Sequence, residues 1–264
     1  MFVPLHDGKS LKYIRVQYVT WTLIAINVLV FLLTALSGGE SEFSKGAVLG
    51  LGFIPAVVND FQELPHGLVL VPENFTYVTY SFLHADWLHL GSNMLFLWVF
   101  GDNVEDALGH FKYLIFYFAC AAAGAFMHGL LLVDSVSPLI GASGAVAGVV
   151  AAYLMLHPRV RVWILVLGRI PLPLPAFIPL LFWVGMQFYM VFVDPDGQVS
   201  WATHVGGILA GALLIVILKR RGVPLFDRSI ESPKAVVHTQ GPPPLPDATP
   251  TEKTSQTKVP HWGR

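Results

Sequence analysis

The sequence predicts an all-α, polytopic membrane protein: six transmembrane helices, with a long first outer loop lying at the membrane interface. Three observations lead there. Of 264 residues, 54% are apolar and only 12% charged, against about 25% charged in soluble domains. Six runs with little or no charge each approach the ~20 residues needed to cross a bilayer. The cationic residues fall on alternate loops, the pattern that fixes orientation. A net charge of −1 gives no sign of a nucleic-acid partner; the expected partner is the lipid bilayer. The single cysteine, Cys120, excludes an internal disulfide framework and reads as a small buried core residue.

The elements follow in order. Lys9, Lys12 and Arg15 precede a run from Val16 to Gly39 without any charge. That run exceeds the roughly 7–15 residues of a signal peptide's apolar region, so it is expected to be an uncleaved first span, about 17–37. The others are expected near 87–107, 113–133, 141–157, 174–193 and 199–218. The second is the weakest, because Asp102, Glu105 and Asp106 lie in its last turns. The fifth follows Pro171, Pro173 and Pro175, which suit an entry segment rather than a helix interior.

Lys112 lies between spans 2 and 3, Arg159, Arg161 and Arg169 between 4 and 5, and Lys219, Arg220 and Arg221 after span 6. The opposite loops hold Lys45 among Glu40, Glu42, Asp60, Glu63, Glu73, Asp134, Asp194 and Asp196, which puts both termini in the cytoplasm and requires an even number of spans. The outer loop of about residues 38–86 is too long for a simple connection. Its aromatic end (Phe75, Tyr77, Tyr80, Phe82, Trp87) suits the interface. The chain thus divides into a cytoplasmic segment (1–16), a membrane domain (17–220) and a tail (221–264). The tail contains Pro242-Pro243-Pro244-Leu245-Pro246 and is expected to be disordered, with any partner unknown.

Four of the polar side chains in the spans stand out: His89 and Asn93 in the second, Ser143 in the fourth, His204 in the sixth. With both termini inside, these three spans all start at the outer face. Counted from Asp86, Asp134 and Asp196, Asn93, Ser143 and His204 lie roughly 10–14 Å deep at ~1.5 Å per residue. Ionisable groups at such depth are costly and mark function. Neutral histidine is the usual base for a serine nucleophile, so Ser143 and His204 form a candidate Ser–His pair. No acid falls within reach of His204, so a dyad is expected rather than a triad. Ser143 at a helix start adds backbone N–H groups for a developing oxyanion, and His89 and Asn93 share a helix face from which to add more. The pairs Gly144/Gly148 and Gly207/Gly211 allow the two helices carrying this chemistry to touch.

Each piece alone has a plainer reading. A lone serine in a membrane helix usually bonds locally, and GxxxG pairs alone are helix packing. Gly-x-Ser-x-Gly is absent, since the sequence reads Gly141-Ala142-Ser143-Gly144-Ala145. A zinc site from His84, His89 and His204 would need a ligand carboxylate nearby, and none falls there. His66, His157 and His261 read as loop or tail residues, and His128 as interfacial. Two other functions use the same residues: a catalytically silent protein that binds transmembrane helices, and a transporter. The transporter reading lacks an inverted repeat and an intramembrane carboxylate relay.

As a set, these residues resemble the rhomboid family of intramembrane serine proteases. The matching pieces are His84-x4-His89-x3-Asn93, Gly141-Ala142-Ser143-Gly144, and His204-Val205-Gly206-Gly207-x3-Gly211, with Phe100-Gly101-x3-Glu105 and Gly109 resembling the second span's exit. The resemblance covers about residues 15–220. It implies a six-helix core with a cavity open to the outer face, Ser143 as nucleophile and His204 as base. It also implies His89, Asn93 and the Ser143 amide as oxyanion hole, with His84, Gly141, Gly144, Gly207 and Glu105 in support. Neither cofactor nor metal is implied. The substrates implied are single-span membrane proteins, with span 5 and residues 194–200 as gate and cap. Two departures stand out: Thr76-Tyr77 occupy the place of a Trp-Arg pair many members carry, and Ala147 replaces a tyrosine that stacks on the histidine. The N-terminus lacks an Arg/Ser-rich transit pattern, so a bacterial plasma membrane is expected.

Overall fold

The computed structural model describes residues 2–38, 41–166, 169–194, 197 and 199–227. By internal contacts the chain separates into residues 1–233 and 234–264, and the second unit lies outside the described residues, as do His261 and most of the tail expected to be disordered. All six predicted runs are helices. They are α1 (Tyr18–Leu36), α5 (Trp87–Leu108), α6 (His110–Leu131), α7 (Ser143–Leu156), α8 (Phe177–Val193) and α9 (Trp201–Leu218). Of these, α1, α6 and α9 are long and apolar enough to cross a membrane, while α7 and α8 are apolar but shorter. The long loop is itself helical, with α2 (Glu42–Leu51), α3 (Pro55–Val58) and α4 (Glu73–Thr79) followed by a 3-10 turn at Tyr80–Phe82.

The protein is mostly helical but not all-α. A three-stranded antiparallel sheet joins β1 (Phe2–Asp7), β2 (Arg161–Val166) and β3 (Ile170–Pro175) in that order. The prolines expected to form an entry segment instead lie in β3, where Pro171 pairs with Leu165 and Pro173 with Trp163. β3 is an edge strand, and prolines at alternate positions remove only N–H groups that face away from the partner.

Two of the acids that weaken the second span, Glu105 and Asp106, accept backbone hydrogen bonds from the chain before and at the start of α1. Glu105 is fully buried and accepts hydrogen bonds from Val19 N (3.0 Å), Thr20 N (2.8 Å) and Thr20 Oγ1 (2.7 Å). Those amides open α1 and have no partner within their own helix. Asp106 likewise accepts from the amides of Lys12, Tyr13 and Ile14. α7 forms the centre: every residue from Gly144 to Tyr153 is buried. A helix apolar on all sides and rich in Gly and Ala suits that place. It packs most extensively on α9, and also on α6 and α5.

Candidate active site

The starts of α5, α7 and α9 meet because glycine removes the side chains between them. A Cβ at Gly207 would overlap the Gly144 carbonyl oxygen, and one at Gly211 would lie 2.5 Å from Gly148 Cα. One residue before His204, Thr203 lies across Gly144, whose Cβ would meet Thr203 Cγ2 at 2.8 Å. The predicted glycine faces are therefore the observed contact. Tyr80 Oη closes the cluster from the loop before α5, donating to Ala121 O at 2.8 Å.

Ser143 is the first residue of α7 and is half-buried. The two amides before it are occupied. Gly141 N donates to Tyr80 O (3.0 Å) and Ala142 N to His84 Nε2 (3.4 Å). The N–H groups from Ser143 onward open a helix, where backbone donors are unpaired and the dipole favours negative charge. Gly141 has φ of +118°, and a Cβ there would stand 2.6 Å from His89 Nε2. Glycine is needed on both counts. The His89 ring thus lies directly against the peptide leading into Ser143.

Asp86 caps α5 and orients its first turn by accepting from His89 N at 2.8 Å. Asn93 is buried and donates from Nδ2 to His89 O at 3.0 Å, leaving its second N–H for another acceptor. His84, in the loop before α5, stacks edge-on to His89 at 5.0 Å. Burial, and then the neighbouring His89, push its imidazole down to about 4, so it is neutral and acts as acceptor for Ala142 N–H.

His204 lies one turn into α9, whose start is capped by Ser200. Ser200 Oγ accepts from Thr203 N and also bonds His128 Nδ1 at 2.7 Å, tying α9 to α6. Trp183 of α8 lies 6.1 Å from the imidazole at 31°, and Trp201 stands edge-on at 6.0 Å. These two rings flank the histidine where Ala147 supplies no aromatic. Asp194 engages Trp201 instead, whose Nε1 donates to Asp194 Oδ2 at 3.3 Å. His204 Nδ1 bonds the Gln187 Oε1 amide oxygen at 2.7 Å. Among the described residues no hydrogen bond joins Ser143 to His204 directly; such contacts tighten when substrate binds.

Gln187 and Trp183 escaped the sequence reading. The available signal was an uncharged amide in an otherwise apolar span, as costly to bury as the polar groups that were noticed. Glu105 serves the fold rather than this cluster, since it caps α1. Among the described residues no three His, Cys, Asp or Glu side chains gather to hold a metal ion.

A mostly helical, integral membrane bundle with serine, two histidines and an asparagine gathered at helix starts defines a narrow class. A profile of the Rhomboid domain matches residues 72–221, more than half of the chain, and the chain belongs to the rhomboid family. Rhomboid protein 1, mitochondrial, of Saccharomyces cerevisiae is 31% identical over 137 residues, covering 50% of this chain and 38% of its own length. Rhomboid-like protein 11, chloroplastic, of Arabidopsis thaliana is 39% identical over 80 residues, covering 30% of this chain and 28% of its own. Rhomboid-related protein 3 of Homo sapiens is 26% identical over 191 residues, covering 69% of this chain and 47% of its own. The chain therefore spans less than half the length of these relatives. Two of them are organellar by name, so they lend no support to the expectation of a bacterial plasma membrane.

Proposed function

We propose that this chain is an intramembrane serine endopeptidase that cleaves single-span membrane proteins near the outer leaflet. The observation that carries this is the convergence of Ser143, His89 and His204 at the touching starts of α7, α5 and α9. His204 takes the Ser143 hydroxyl proton as the oxygen attacks a substrate carbonyl. The oxyanion develops against the Ser143 amide, with His89 and Asn93 as further donors. The amine product leaves with the proton, and water then hydrolyses the acyl-enzyme by the same exchange.

The proposed topology is six spans with both termini cytoplasmic. The 14 residues of α7 extend about 21 Å, less than the ~30 Å hydrocarbon thickness. A helix of that length starts below one surface, which supports a nucleophile within the membrane that water reaches from one side. In α8 the described buried residues are Pro179, Leu180 and Gln187, while Phe182, Tyr189 and Phe192 are exposed. That sparse packing supports α8 as the side through which a substrate helix enters; the cap expected at residues 194–200 lies partly outside the described residues.

The test is cleavage of a reporter bearing a helix-weakened transmembrane segment. Ser143→Ala and His204→Ala are each expected to abolish it while remaining folded. Undiminished cleavage by folded Ser143→Ala protein would overturn the proposal.

A further inference from the structure

We propose that Gln187 is a positioning residue for His204, fixing the imidazole as the tautomer whose Nε2 accepts the serine proton. The inference rests on the Ser143–His204 reading above and adds a third member to that pair from α8.

The amide's orientation is set by its own helix. Gln187 Nε2 donates to Trp183 O at 3.0 Å, one turn back. Flipping the amide would turn Oε1 against that carbonyl oxygen, two acceptors face to face. Oε1 is therefore the atom that meets His204 Nδ1 at 2.7 Å. An amide oxygen only accepts, so Nδ1 carries the proton. A neutral imidazole holds one proton, so Nε2 keeps its lone pair. The rings of Trp183 and Trp201 flank the imidazole and restrict its rotation.

Gln187 is 2% exposed on a helix that presents most of its side chains outward. A buried amide is costly unless bonded, and both ends of this one are bonded. The acceptor is neutral where a serine-protease triad uses a carboxylate. It sets tautomer and direction but supplies no charge to the imidazolium, a weaker aid than an aspartate. The ionisable groups around His204 are His89 on α5, His128 on α6 by way of Ser200, and Asp194 by way of Trp201.

Two variants separate positioning from packing. Gln187→Leu keeps volume and removes the acceptor; Gln187→Glu, in its acid form, keeps a carbonyl acceptor for His204 Nδ1–H and an O–H donor for Trp183 O. If Gln187 holds the imidazole, Leu lowers kcat by about 10–100-fold with KM within about twofold, and Glu retains activity within about fivefold. If Gln187 only fills space, the order reverses, with Leu active and Glu impaired, and the inference fails. Ser143→Ala protein labelled with ¹⁵N-histidine gives a second readout. His204 is expected as the Nδ1–H tautomer there and as a mixture once Gln187→Leu is added; an Nε2–H tautomer with Gln187 intact overturns the inference. Should Ser143→Ala still cleave, the dyad itself fails, whatever Gln187 does.

Discussion

Replacing Gly207 by alanine adds one methyl group where two helices touch through their backbones. The new Cβ would overlap the Gly144 carbonyl oxygen and lie 2.8 Å from its carbonyl carbon. Carbon pairs settle at about 3.5–4.0 Å, so α7 and α9 must part by roughly 1 Å. Overpacking of this kind costs about 1–3 kcal/mol, while alanine returns up to about 1 kcal/mol of helix propensity. The net loss of stability is thus about 0–3 kcal/mol, and the folded state survives. Activity is affected far more. The displacement falls between the helix that starts at Ser143 and the helix that carries His204, and a 1 Å misplacement costs about 100-fold in rate. The assay pairs reporter cleavage with SDS unfolding followed by circular dichroism. A Gly207→Ala protein that cleaves at the native rate would refute the reasoning that this contact sets the geometry of the pair.

Three further outcomes are expected. Glu105→Ala leaves the amides of Val19 and Thr20 without their acceptor, lowering stability by about 3 kcal/mol in the same unfolding assay. His84 takes up its proton near the ordinary histidine value in the unfolded chain but only at about 4 when folded. Its contribution is therefore full above about pH 6.5 and is lost as pH falls toward 4; unfolding midpoints at pH 7 and 5 should differ less in His84→Phe. Asp7 has the opposite sign: burial raises its carboxyl to about 6, against the hydrogen bond from Tyr153. The stability it adds is present below about pH 4 and lost as pH rises through 6, so Asp7→Asn should flatten the unfolding midpoint across that window.

Hydropathy made the six helices legible, because lipid demands apolar length and local hydrogen bonding. The glycine pairs were legible for a related reason: Gly144, Gly148, Gly207 and Gly211 sit at helical spacing on surfaces that must touch. The sheet was not. β1 pairs with β2 across some 160 residues, Val3 opposite Leu165, and no local pattern announces so distant a partner. The alternating prolines of β3 pointed away from regular structure, yet an edge strand tolerates them. Asp102, Glu105 and Asp106 made the second span look weak, although Glu105 and Asp106 accept hydrogen bonds from the chain before and at the start of α1. Gln187 carries no charge and matches no motif; only the fold reveals that its amide meets His204.

The central claim is that Ser143 is a nucleophile activated inside the membrane bundle. Labelling the detergent-purified protein with a serine-reactive fluorophosphonate, followed by peptide mapping, tests this most directly. A single adduct on Ser143 is expected, absent from Ser143→Ala and strongly slowed in His204→Ala. An adduct on another serine, or labelling that persists without Ser143, would contradict it.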